Sequence, residues 1–236
     1  MARMKGWLLA IVLVTAPGFA QAGALLELYT SQGCYSCPPA DQFLGEFIAE
    51  NPQHVALEFH VDYWDDLVYG SAGVWKDPFS SPKHSARQRR YNQVDLQGQD
   101  GVYTPQMVVN GQFTTVGSSR AKVKQYVERS SSPLAVQVSV EDGQYIALVS
   151  GDHTSDATIW VARFERMRDT NVIAGENLGK TMRNHHMVRS LHAADRWRGE
   201  TKRVAIGKVN EDSAFGCAVF VQSRDLGPVL GASYCP

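Results

Sequence analysis

The sequence predicts a mixed α/β fold in its first half and a β-rich, sandwich-like module in its second. Residues 24–129 alternate apolar runs of strand length with stretches of helical spacing, and include a hairpin signal. Residues 134–234 show short alternating runs separated by turns. A composition of 44% hydrophobic and 20% charged residues is that of a chain with a packed core. It excludes a wholly disordered or fibrous protein.

Residues 1–22 (MARMKGWLLAIVLVTAPGFAQA) stand outside this pattern. Arg3 and Lys5 make a positive start, and residues 7–16 form an apolar run too short to span a bilayer. Pro17 and Gly18 break the run, and Ala20-Gln21-Ala22 has the small-x-small pattern of a signal-peptidase site. The expectation is a signal peptide over 1–22, cleaved after Ala22, with a retained anchor as the alternative. The remainder is then periplasmic or secreted from a bacterium, with no membrane span. Loss of Arg3 and Lys5 takes the formal net charge from −1 to −3. No basic excess points to nucleic acid.

An α/β domain is expected over 23–130. Residues 24–30 (ALLELYT) suit a buried parallel strand. Ser31-Gln32-Gly33 is a turn, and Cys34 opens a helix whose core face is Phe43, Leu44, Phe47 and Ile48. Pro38 and Pro39 sit in its first turn, where missing N–H groups cost least. Residues 54–61 alternate Val55, Leu57, Phe59 and Val61 as a second strand. Ser81-Pro82 caps and starts a helix that runs to Gly98, with Lys83, Arg87, Arg89 and Arg90 as a basic face that is either solvated or attracts acidic partners. Strands follow over 104–110 and 112–116, joined by the hairpin signal Asn110-Gly111. A helix over 117–129 turns Val123, Tyr126 and Val127 inward.

The β-rich module is expected over 134–236. Its first strand alternates Leu134, Val136, Val138 and Val140. Six more strands follow over 145–149, 158–164, 184–192, 202–209, 216–222 and 229–234, with a polar loop at 170–180.

The chemistry lies in the cysteines. Cys34 and Cys37 form a C-x-x-C where a strand passes into a helix. Free N–H groups and the positive end of the helix dipole favour a thiolate there. Cys37, three residues on, lies on the same face and can resolve a mixed disulfide. Asp41 opposes the thiolate. A zinc ribbon would need a second close Cys or His pair, and Cys217 and Cys235 are not spaced as one. His185 and His186 are adjacent, so on a strand they point to opposite faces. A turn over 223–228 is centred midway between Cys217 and Cys235, which then face each other as a structural disulfide, with two buried free thiols as the alternative.

Thr104-Pro105 opens a strand with a residue that cannot donate to a ladder. A cis bond beside the active site explains it, and an ordinary trans start is the alternative. The stretch from His60 to Trp75 follows a strand end on the ligand side of an open sheet. Tyr63, Trp64 and Trp75, with Thr104, either wall a substrate groove or cap the core. His60 and Asp62 either shuttle protons, join Cys34 and Cys37 in holding a metal, or are structural.

ELYTSQGCYSC (27–37) resembles the strand–turn–helix C-x-x-C motif of glutaredoxins and thioredoxins. YTPQMVVNGQFTTVG (103–117) resembles their cis-proline strand and hairpin. The resemblance implies a thioredoxin-like fold: a glutaredoxin-type four-stranded mixed sheet, flanking helices and an inserted loop-helix. It also implies that Pro105 seats the substrate chain. TSQGCYSCPPAD, FHVDYWDDL, WKDPFSS, RQRRY, VYTPQMVVNG and GENLGKTMRNHHMVRSL are together similar to domain-of-unknown-function family 1223, exported bacterial thioredoxin-like proteins. That similarity runs from about Leu25 to the C-terminus and brings no substrate. Glutaredoxins usually carry Lys at the position of Ser31 and acids near Ser118-Ser119, so glutathione is disfavoured here.

The reading that follows is an exported thiol–disulfide oxidoreductase. Cys34 attacks, Cys37 resolves, Pro105 seats the substrate, protein thiols or disulfides are the partners, and no organic cofactor is implied. Two rivals remain. One is a copper-type metal carrier using Cys34, Cys37 and His60. The other is a non-catalytic module whose C-x-x-C is a structural disulfide.

Overall fold

The computed structural model describes residues 23–153 and 156–236. The expected signal peptide, residues 1–22, lies outside the described residues.

The chain begins with β1 (Leu25–Thr30), α1 (Pro38–Glu50) and β2 (Val55–His60). β1 and β2 are buried at every position and pair in parallel, with α1 as the crossover. α2 (Pro82–Tyr91), a two-residue β3 (Gln97–Gly98), β4 (Gln106–Val109), β5 (Phe113–Val116) and α3 (Arg120–Arg129) complete the first half. β4 pairs antiparallel with β1 and turns into β5 through Asn110 (φ 54°) and Gly111 (φ 63°). Two successive left-handed residues match the twist of a hairpin. A Cβ on Gly111 would lie 2.6 Å from the Gly227 carbonyl oxygen, so that position needs glycine for space as well.

The second half holds β6 (Ala135–Glu141), β7 (Gln144–Ser150), β8 (Ala157–Asn171), β9 (Thr181–Trp197), β10 (Lys202–Lys208), β11 (Phe215–Ser223) and β12 (Val229–Tyr234). The expected four-stranded sheet needs correcting. β2, β1, β4 and β5 are neighbours in that order, but they form part of a nine-stranded mixed sheet, β12-β11-β8-β9-β2-β1-β4-β5-β3. β9 joins β2 in parallel, with Glu58 opposite Met187. β2 would otherwise be an unpaired edge, and such an edge is normally covered. A separate three-stranded sheet, β10-β7-β6, packs on the far part of the large one. Leu134, Val136, Ala147, Val149, Val204 and Ile206 there meet Ile159, Val161, Val219 and Val221. The sandwich therefore shares one sheet with the α/β half.

Three further expectations need correcting. The first helix starts at Pro38 and not at Cys34. Pro38 and Pro39 have no N–H to give the carbonyls of Cys34 and Tyr35, so the first helical bonds run from Ala40 and Asp41 to the Cys37 carbonyl at 2.8 and 3.1 Å. α2 stops at Tyr91, and Val94 and Leu96 pack back onto the core. β8 and β9 extend well beyond 158–164 and 184–192. Much of the added length is exposed, so apolar alternation does not mark it. The long hairpin projects its tip, residues 172–180, toward the C-x-x-C.

Candidate functional site

Cys34 and Cys37 are joined by a disulfide, with Cα atoms 5.4 Å apart. The loop that carries them is built from its own backbone. Cys34 N–H donates to the Ser31 carbonyl at 3.1 Å and Cys37 N–H to the Cys34 carbonyl at 3.2 Å. Cys37 caps α1, and Cys34 lies one turn before it. Both cysteines are 0% exposed, whereas Tyr35 between them is 67% exposed. Ser36 Oγ lies 3.4 Å from Cys34 Sγ.

The Thr104–Pro105 bond is cis. A Cβ on Gly117 would lie 3.0 Å from Ala40 Cβ and 3.4 Å from Pro105 Cβ, so the β4 start and the first turn of α1 share one corner. Trp64 closes that corner. Its indole N–H donates to Thr104 Oγ1 at 2.8 Å, and its Cβ would lie 3.3 Å from a Cβ on Gly33. The Tyr63 hydroxyl donates to Gln88 Oε1 at 3.2 Å on α2. Trp75 packs instead against Gly175 in the hairpin tip.

That tip reads as an undistinguished polar loop in the sequence. Here it clamps the C-x-x-C. Asn177 Nδ2 donates to the carbonyls of Gln32 and Cys34 at 2.8 and 2.9 Å. Tyr35 N–H donates to Glu176 Oε2 at 2.8 Å, and Lys180 Nζ sits 4.5 Å from the Tyr35 ring centre. Gly175 N–H reaches the Ala72 carbonyl at 2.9 Å, so three loops meet around the disulfide.

Beneath the loop lies a buried polar floor. His60 Nδ1 contacts Asp77 Oδ2 at 2.7 Å and its Nε2 contacts Glu58 Oε2 at 3.2 Å. Burial disfavours the imidazolium, but the two acids outweigh it and hold His60 up at about 10. Burial likewise opposes charge on Asp77, and His60 more than compensates, so Asp77 stays below its ordinary range. Asp77 Oδ2 also accepts from Gln32 N–H at 2.8 Å, which ties the ion pair to the turn before Cys34. Asp41 is pushed well above the carboxylate range by burial and by Glu58, and it accepts from Thr30 Oγ1 at 2.6 Å. Asp41 Oδ2, Glu58 Oε1, Gln32 Oε1 and Asn184 Nδ2 have no hydrogen-bond partner among the described residues.

A model for a protein family of unknown function, DUF1223, matches residues 25–222, most of the chain. The chain belongs to this family. No curated protein matches it. A crystal structure of an Agrobacterium tumefaciens protein is similar, with a TM-score of 0.76 and 28% identity over 91% of this chain and 95% of that one.

For this DUF1223 chain the remaining candidates fall as follows. His60 is occupied on both ring nitrogens, and Asp62 accepts from Ser85 Oγ. Among the described residues no group of three or more His, Cys, Asp or Glu is arranged to hold a metal ion. Cys217 and Cys235 form a second disulfide across the β11–β12 hairpin, with Cα atoms 5.3 Å apart. Among the described residues no helix is long and apolar enough to cross a membrane. Asn177, Glu176 and Asp77 are the site residues that sequence reasoning missed. The signal for Glu176 and Asn177 was the run GENLGK, whose position above the cysteines depends on pairing between β8 and β9, and Asp77 lies in WKDPFSS, where nothing local names His60 as its partner.

Proposed function

We propose that this chain is an exported, thioredoxin-like thiol–disulfide exchange protein acting on polypeptides. The carrying observation is the C-x-x-C disulfide at the start of α1, sharing a corner with cis-Pro105 and flanked by loops that bear exposed apolar side chains. Leu67, Val68 and Val74 from one loop, Ile173 and Leu178 from another, and Tyr35 are each more than 40% exposed. Such side chains on touching loops suit an apolar stretch of a partner chain.

In the oxidising direction a substrate thiolate attacks Cys34 Sγ. The Cys34–Cys37 bond breaks, and Cys37 leaves as a thiolate. A second substrate thiolate attacks the substrate sulfur of the mixed disulfide and releases Cys34. Substrate is oxidised to a disulfide as the C-x-x-C is reduced to two thiols, and the reverse sequence reduces a substrate disulfide. Pro105 and Thr104 then seat the substrate backbone, and Trp64 holds Thr104. Because both cysteines are buried, exchange requires the 172–180 tip to lift from the Gln32 and Cys34 carbonyls.

The burial of both cysteines favours one rival, an inert structural disulfide. Expression of Cys37→Ser in an exporting host should trap reductant-sensitive adducts through Cys34, because the resolving thiol is gone. Cys34→Ser should trap almost none. Silence from both variants, with a reduction potential below about −300 mV, gives the structural reading. A metal carrier predicts stoichiometric copper on the reduced protein, lost in either variant without adducts. N-terminal sequencing of exported protein should begin at Gly23.

A further inference from the structure

On the sheet face opposite the disulfide, α2 and β9 enclose a cavity of about 350 Å³, within the range of small-molecule sites. Its floor is apolar: Phe59, Trp160, Leu191 and Leu226. Its walls carry Lys83, Arg87, Arg90 and Arg189, and among the described residues no carboxylate lines it. Arg87 is neutralised from below by Glu27, through contacts of 2.6 and 3.0 Å. Lys83, Arg90 and Arg189 have no carboxylate partner among the described residues. Arg189 is held in place by stacking over Phe79, 5.4 Å from the ring centre. Ser81, the cap of α2, and Ser190 add hydroxyls at the same cavity.

Lys83, Arg90 and Arg189 converge here without a carboxylate partner among the described residues, above a floor that favours losing water. A ligand that satisfies both features joins an anionic head to an apolar body. We propose that this cavity binds a small organic anion of that class, an aryl or branched-alkyl phosphate, sulfonate or carboxylate. Arg90, Arg189 and Lys83 grip the head, and Trp160, Phe59 and Leu191 cover the body. Phe59 alternates with Glu58 and His60 along β2, so the sheet separates this site from the disulfide. The inference is independent of redox activity.

The test is calorimetric titration of the mature protein with 1-naphthyl phosphate, inorganic phosphate and 1-naphthol. The naphthyl phosphate should bind at least about tenfold more tightly than either fragment, since each half contributes separately. Lys83→Gln and Arg189→Gln, both at exposed positions, should each weaken it by about tenfold. Ala86→Trp, which fills the mouth from α2, should abolish it. Circular dichroism checks that the variants fold, and the two charge variants decide the matter if Ala86→Trp does not. No heat at millimolar ligand overturns the proposal. So does a fragment binding as well as the whole ligand, or unchanged affinity in both charge variants.

Discussion

His60 shows how a single side chain changes meaning once its neighbours are known. In the sequence it is a histidine at a strand end, open to proton transfer or metal binding. In the fold it is a buried cation between Asp77 and Glu58. Its folded pKa of about 10 lies above its ordinary 6.5. Its contribution to stability is therefore complete below about pH 6.5 and is lost as pH rises through 10. Asp77 has the opposite sign: its contribution is present above the ordinary carboxylate range and lost as pH falls through its lowered value. Denaturant unfolding of His60→Gln should show a loss of about 3–5 kcal/mol at neutral pH, because two buried acids lose their cation. The alkaline slope should flatten in the same variant. Asn177 makes a second residue-scale prediction. Asn177→Ala frees the Gln32 and Cys34 carbonyls, so dithiothreitol should reduce the 34–37 disulfide several-fold faster, with the 217–235 bond as internal control. An unchanged rate would show that the tip does not guard the cysteines.

At the scale of elements, α2 carries an expectation that the structure reverses in part. Its basic residues read as a solvated face, and Arg89 and Arg90 are exposed. Arg87 is instead buried at the centre of a network with Glu27, Tyr91 and Gln222, which pins α2 to β1 and β11. Periodicity could not show this, because the partner acid lies 60 residues earlier on a strand. Arg87→Met should cost about 3–5 kcal/mol by stranding Glu27, and adding Glu27→Gln should recover part of that. The β11–β12 hairpin makes a separate prediction. Cys217 and Cys235 close a loop of separation 18, so replacing both with Ala should lower stability by about 3 kcal/mol. Thermal unfolding against the parent protein measures it, and an unchanged midpoint would remove the staple role.

Across the whole molecule, the α/β half and the sandwich are built on one sheet. One core cluster draws Leu25, Phe59 and Tyr91 from the first half and Phe164, Val188 and Phe220 from the second. Asn110 reinforces the join by accepting from Leu25 N–H at 3.1 Å and donating to the Val229 carbonyl at 2.9 Å. Calorimetry should therefore show a single cooperative transition, and two resolved transitions would mark the halves as independent. Local signals made much of this legible. Alternation marked the strands, Asn110-Gly111 marked the hairpin, Ser81-Pro82 marked the start of α2, and C-x-x-C with Thr104-Pro105 marked the candidate site. These are short-range effects of backbone sterics and side-chain period, so the chain determines them residue by residue. The joining of the two halves into one nine-stranded sheet through β2 and β9, the burial of His60 and Arg87, and the seating of Asn177 over Cys34 were decided only by tertiary structure. Each joins segments tens to more than a hundred residues apart, and the partner of a buried polar group or an open strand edge is set by packing, which no local pattern encodes.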